Sequence, residues 1–151
     1  MSLTLRCPAE ADTRALGRRL ASLLRAGDVV LLAGDLGAGK TVFASGIAEG
    51  LGVAEPVVSP SFILARRYEG LMGLVHADLY RLGSSAEVDD LDLVESAGDG
   101  VLVVEWGEAA AACFPADHLL VRLEVDDAGE RTVTLVRRGS WQERPLEEVA
   151  G

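Results

Sequence analysis

Apolar residues in this chain fall into short blocks separated by polar and glycine-rich stretches, and the spacing within each block predicts an element. Residues 9–25 place Leu16, Leu20, Leu23 and Leu24 on one helical face, with Gly27 as the stop. VVLLAG (29–34) is a continuous apolar run of strand length, as a strand buried on both faces requires. GDLGAGKT follows as a loop and VFASGIAEGLG as a helix ending near Gly50 or Gly52, while EPVVSPSF is irregular. FILARRY (62–68) and GLVHADL (73–79) flank a Glu-Gly turn and predict a hairpin. SSAEVDDLDLVESAG reads as helical in pieces, and VLVVEW (101–106) as a second buried strand. HLLVRLEV and RTVTLVRR alternate about a turn and predict a second hairpin. From Ser140 the pattern is weakly helical, and a mobile tail is expected.

Strands alternate with helices, and the central strands are too apolar to face water. The expected fold class is therefore α/β: a sheet with a parallel core, antiparallel hairpins at the sides and helices on both faces. The expected organisation is a single domain over residues 1–139 with a C-terminal tail over 140–151.

At 151 residues one domain can bury about 70% of the surface its unfolded chain exposes, so no staples are needed. The formal net charge of −10 repels phosphate backbones and anionic membranes, which argues against autonomous nucleic-acid binding. No apolar run approaches the ~18 residues of a membrane span. Cys7 and Cys113 have no metal-ligand spacing and read as reduced thiols of a cytoplasmic protein. Asparagine is absent, which removes the guanine-reading Asn-Lys-x-Asp motif and any kinase loop that uses Asn for metal. Lysine occurs once, as Lys40, against thirteen arginines. In a chain that otherwise uses Arg, a lone Lys points to chemistry that Arg cannot perform.

That lysine lies in Gly34-Asp35-Leu36-Gly37-Ala38-Gly39-Lys40-Thr41, which fits G-x-x-x-x-G-K-[ST] at every fixed position. The glycines let successive N–H groups turn inward at phosphate oxygens, and the next helix offers its positive end to the same anion. Lys40 is expected to reach the β- and γ-phosphates, and Thr41 to place its hydroxyl on Mg²⁺.

Such a loop also needs an acid at the end of a neighbouring strand. Asp78, ending LVHAD, and Glu105, ending VLVVE, both qualify. Either can hold Mg²⁺, directly or through water, while the other orients the attacking water. Ser59-Pro60-Ser61 occupies the place of a γ-phosphate-sensing loop, although Ser-Pro is also ordinary turn chemistry. His76 shares the strand face of Asp78 and reads first as a core or supporting histidine. Trp106, pointing away from Glu105, reads as core packing or as a lid over the nucleotide.

With GDLGAGKT, SPSF, HADLYRL and VEWGE in this order, the chain resembles the TsaE (YjeE) family of small bacterial P-loop ATPases over about residues 3–138. The resemblance implies Mg²⁺-dependent ATP hydrolysis that supports threonylcarbamoyl modification of a tRNA adenosine. It implies that Asp35, Leu36, Gly37, Ala38, Gly39 and Lys40 cradle the ATP phosphates. Thr41 and Glu105 would ligate Mg²⁺, and Asp78 would be needed for hydrolysis. Ser59 and Ser61 would sense the γ-phosphate, Trp106 would lie near the nucleotide, Glu10 and Thr13 would border the adenine, and Arg131 would face the nucleotide. Val42 stands where relatives often carry a second Thr. Partners implied are TsaB- and TsaD-type proteins, with tRNA met only through that complex. Two other readings stay open: a P-loop small-molecule kinase, for which no arginine-rich lid is evident, and a nucleotide-dependent switch with negligible turnover. A GTPase switch is disfavoured further because Asp78-Leu-Tyr-Arg lacks the glycine of Asp-x-x-Gly.

Overall fold

The structure, a computed structural model, describes residues 2–35, 37–58, 65–80, 85–106 and 111–150, with backbone alone at Ser85 and Asp90. The elements in order are β1 (Ser2–Cys7), α1 (Glu10–Ala21), β2 (Val29–Ala33), α2 (Lys40–Gly50), β3 (Ala65–Glu69), β4 (Gly73–Asp78), α3 (Ser85–Asp90), α4 (Leu93–Ala97), β5 (Val101–Glu105), β6 (Leu119–Val125) and β7 (Arg131–Arg137). Two 3₁₀ turns, Gly139–Glu143 and Leu146–Ala150, follow β7.

The strands form a seven-stranded sheet in the order β1-β7-β6-β2-β5-β4-β3. β6, β2, β5 and β4 run parallel, whereas β1–β7, β7–β6 and β4–β3 pair antiparallel. The expected parallel core with antiparallel hairpins is present. All five residues of β2 and of β5 are buried, because helices cover both sheet faces. Alternation splits them between two cores. Val30, Leu32, Val101 and Val103 pack under α1 and α2, and Val29, Leu31, Leu102 and Val104 pack under α3 and α4.

β1 was not among the expected elements. Its alternation of Ser2, Thr4 and Arg6 with Leu3, Leu5 and Cys7 is short and only half-buried. The strand exists because β7 supplies its hydrogen-bonding partner. At the opposite edge, β3 exposes Arg66, Arg67 and Glu69, charges that discourage edge-to-edge pairing.

α1 begins with the Asp12 carboxylate accepting the Ala9 N–H at 2.9 Å, which satisfies one end-group donor. It ends at Ala21, earlier than Gly27, so Leu23 and Leu24 pack from the turn beyond it. α1 lies directly on α2: a Cβ at Gly46 would come 2.1 Å from the Arg14 carbonyl oxygen, and one at Gly17 would come 2.4 Å from that of Phe43. Only glycine permits this approach, and it fixes the helix that follows the glycine-rich loop.

The segment expected as a C-terminal tail packs against the domain. Trp141, Leu146 and Val149 are buried in the core beneath α1. Arg144 makes a two-pronged ion pair with Asp28, at 2.5 and 2.7 Å, both residues being buried, and its guanidinium lies 4.0 Å from the Trp141 ring centroid. Arg144 also donates to the Leu23 carbonyl, and Arg19 to that of Val149. The weak periodicity from Ser140 is that of two short turns wrapped on the domain.

Candidate active site

β2 ends at Ala33, and the loop 34–39 delivers the chain to the first turn of α2. Gly34, Gly37 and Gly39 have φ of +145°, +81° and +104°, a region that L side chains rarely adopt. Gly39 caps α2 in the left-handed conformation. No side chain caps this helix and its first turn carries no acid, so its amide groups are available to an anion.

Lys40 is buried. Its ammonium donates to the carbonyls of Gly34 at 2.6 Å and Asp35 at 2.8 Å, and lies 4.1 Å from the centroid of the Trp106 ring. The lysine is therefore folded back onto its own loop. Trp106 is held at φ +65°, and its N–H donates to the Leu32 carbonyl. That unusual backbone turns the chain at the end of β5 and sets the indole beside Lys40 and 4.9 Å from the Tyr80 ring.

The two acids expected at strand ends are cross-strand neighbours, since Asp78 of β4 lies opposite Glu105 of β5. Both are buried on the sheet face that carries α2. The Thr41 hydroxyl is 2.9 Å from Glu105 Oε2 and 3.1 Å from Oε1. His76 Nε2 lies 2.6 Å from Glu105 Oε2. Asp78 Oδ1 accepts the Tyr80 N–H at 3.0 Å. Burial pushes the Asp78 carboxyl above its ordinary value and the Glu105 charge adds to this, while the Tyr80 amide and Lys40 act in the opposite sense. Between the two acids, geometry associates Glu105 with the threonine hydroxyl.

Among the described residues, no group of three or more His, Cys, Asp and Glu side chains forms a cation cage. A hydroxyl and a carboxylate facing each other beside a phosphate loop nevertheless suit Mg²⁺, which keeps waters and shares itself with substrate phosphates. The donors are hard oxygens at the ends of rigid elements, so the residues fit the cation that the motif implies.

The Asp35 side chain is exposed and its carbonyl holds Lys40. Ala38 is buried beneath the loop. Arg131 borders the loop: its Nε would lie 3.5 Å from a Cβ on Gly39, and that nitrogen is buried with no hydrogen-bond partner among the described residues. Thr13 is fully buried beside the Cys7 thiol, and Glu10 is exposed in the first turn of α1. Neither Glu10 nor Thr13 hydrogen-bonds to the phosphate loop among the described residues. Leu36, Ser59, Ser61 and the rest of the Ser59–Phe62 segment lie outside the described residues. His118 is a structural residue whose ring bonds the Pro115 carbonyl.

Sequence reading missed the wall contributed by the end of β6. Leu123, Glu124 and Val125 line a cleft of 460 Å³ with Gly34, Asp35, Gly37 and Ala38. Nothing local marks them, because only the parallel pairing of β2 with β6 brings them to the loop.

The family model described as "Threonylcarbamoyl adenosine biosynthesis protein TsaE" matches residues 7–133. This chain belongs to the TsaE family. It is 47% identical over 147 residues to the tRNA threonylcarbamoyladenosine biosynthesis protein TsaE of Streptomyces coelicolor, a match covering 91% of this chain and 99% of that one. It is 50% identical over 131 residues to TsaE of Mycobacterium tuberculosis, covering 80% and 78%, and 38% identical over 141 residues to TsaE of Bacillus subtilis, covering 92% and 88%. The crystal structure of Bacillus subtilis YdiB superposes with a TM-score of 0.82 at 33% identity, covering 99% of this chain and 95% of that one. The seven-stranded sheet is thus the fold of a solved relative. Among the described residues of this TsaE-family chain, no helix is long and apolar enough to cross a membrane.

Proposed function

We propose that this protein binds ATP with Mg²⁺ at the carboxyl ends of β2, β5 and β4, hydrolyses it, and thereby supports threonylcarbamoyl modification of tRNA adenosine in the cytoplasm. The observation that carries the reading is the Thr41–Glu105 contact beside a complete phosphate loop whose only lysine is folded against it.

The roles follow from the chemistry of the side chains. Loop amides and the first turn of α2 bind the phosphates, and Lys40 exchanges two carbonyl contacts for phosphate oxygens. Thr41 and Glu105 hold Mg²⁺, which supplies neutralisation of the charge that develops on the phosphates. Asp78 orients the attacking water and accepts its proton, a task suited to a carboxyl whose affinity for protons is raised. Trp106 shields Lys40 from solvent on one side, and Arg131 adds a cation at the loop's edge. Ser59 and Ser61 sense the γ-phosphate and transmit its presence to partners. At −10 net charge the chain does not grip tRNA itself, so it acts through TsaB- and TsaD-type proteins that supply the basic surface.

The test is phosphate release from ATP by the chain alone and with the TsaB–TsaD pair, together with co-elution in the presence and absence of ATP. Expected are slow turnover alone, ATP-dependent co-elution weakened by Lys40→Ala, and no tRNA shift by the isolated chain at physiological salt. Turnover accelerated by a small alcohol or sugar would instead indicate a kinase. Nucleotide-dependent co-elution without turnover would indicate a switch.

A further inference from the structure

His76 lies one strand position diagonally from Glu105. In β4, Leu74, His76 and Asp78 face α2, and in β5, Val101, Val103 and Glu105 face the same way. The His76 and Glu105 side chains are 1% and 5% exposed, so their 2.6 Å contact is screened from water. A carboxylate only accepts hydrogen bonds, so Nε2 carries the hydrogen. The other ring nitrogen, Nδ1, is buried with no hydrogen-bond partner among the described residues. Among the described residues Glu105 is thus the hydrogen-bond partner of this ring, and an aliphatic side chain would fill the same space without leaving a buried nitrogen unsatisfied.

From this geometry, and resting on the nucleotide reading above, we infer that His76 is a positioning residue for Mg²⁺ binding, anchoring Glu105 Oε2 so that Oε1 stays directed at the Thr41 hydroxyl. The carboxylate has two oxygens and two neighbours. Oε2 is shared between His76 and Thr41, whereas among the described residues Oε1 is hydrogen-bonded to the Thr41 hydroxyl alone, at 3.1 Å. A cation that draws on Thr41 and Glu105 therefore finds a carboxylate already fixed in orientation, with Oε1 clear of the histidine. Without the tether the carboxylate can rotate about its last bond, and the cation must order it at the moment of binding. Supporting hydrogen bonds of this kind are worth about 10–100-fold in metal affinity.

The experiment uses the full chain and a non-hydrolysable ATP analogue, titrated by calorimetry over a series of Mg²⁺ concentrations. His76→Leu keeps bulk and removes the donor. His76→Gln restores an N–H at similar reach. The expected result is that His76→Leu raises the Mg²⁺ concentration for half-maximal tight binding by about 10–100-fold, with His76→Gln recovering most of the loss. In a Glu105→Gln background, His76→Leu should add almost nothing, because the two residues act as one unit. A structural role would give independent losses and no rescue. A second measurement needs neither metal nor nucleotide: nitrogen NMR of the unmodified chain should show the His76 hydrogen on Nε2. A hydrogen on Nδ1, or unchanged Mg²⁺ dependence in both His76 variants, overturns the inference while leaving the ATPase reading intact. Absence of any Mg²⁺-dependent binding in the unmodified chain overturns both.

Discussion

The Thr41 hydroxyl and the Glu105 carboxylate, 64 residues apart in sequence, stand 2.9 Å apart across the end of the sheet. Asp78 is as buried as its neighbour and only one strand away, yet its hydrogen bond goes to the Tyr80 amide. This difference between two acids of similar sequence context underlies the first prediction.

Glu105→Gln should raise the Mg²⁺ concentration needed for tight nucleotide binding. Asp78→Asn should spare binding and lower turnover, because it removes proton acceptance rather than a cation contact. Analogue titration over Mg²⁺ and single-turnover phosphate release separate the two. A Mg²⁺ shift in Asp78→Asn with none in Glu105→Gln would mean that the roles are reversed.

Lys40→Ala should reduce ATP affinity by at least tenfold, about 1.4 kcal/mol, with the fold retained. The ammonium donates to the loop carbonyls of Gly34 and Asp35 and lies over the Trp106 ring, contacts at the edge of the sheet rather than within either hydrophobic core. Calorimetric titration reports the affinity and far-ultraviolet circular dichroism the fold. Binding close to that of the unmodified chain would remove the phosphate-loop assignment.

Asp78 gives a pH dependence of definite sign. Its carboxyl is raised above the ordinary 3.8 in the folded state, so between that value and the raised one the folded chain holds more proton than the unfolded chain. Stability should therefore fall as pH rises through this window, and the cost should persist above it. Asp78→Asn should flatten the slope in that window. Urea unfolding of the metal-free chain across mildly acidic pH measures it, and a slope unchanged by the substitution would show that burial does not act on this group as described.

The C-terminal segment should contribute to global stability. Arg144→Ala leaves Asp28 buried and unpaired, which should cost about 3–5 kcal/mol. Trp141→Ala opens a cavity beneath α1 and should cost a similar ~3–5 kcal/mol. Midpoints of urea unfolding report both. Losses below ~1 kcal/mol would make the segment a loosely attached tail after all.

The glycine-rich turn into α2 was legible because its requirements are local. Positive φ at Gly34, Gly37 and Gly39, a lysine and a hydroxyl at the start of a helix are all written within eight consecutive residues. The apolar runs of β2 and β5 likewise announced burial on both faces, and with it a parallel core between helices. Strand ends located Asp78 and Glu105 as the two acids, since a polar residue can follow such a run only where the sheet stops.

What tertiary structure alone decided were relationships between distant segments. β1 is a strand because β7 pairs with it, and residues 139–150 are ordered because Arg144 reaches Asp28 and Trp141 finds a space beneath α1. Alternation placed His76 on the face of Asp78, but the parallel register of β4 with β5 set its ring against Glu105. Which acid meets Thr41 depended on the approach of α2 to the sheet, fixed in turn by Gly17 and Gly46 against α1. Local propensity and burial are properties of a few neighbouring residues and can be read from them. A contact between side chains on different elements depends on how those elements dock, which the whole chain determines.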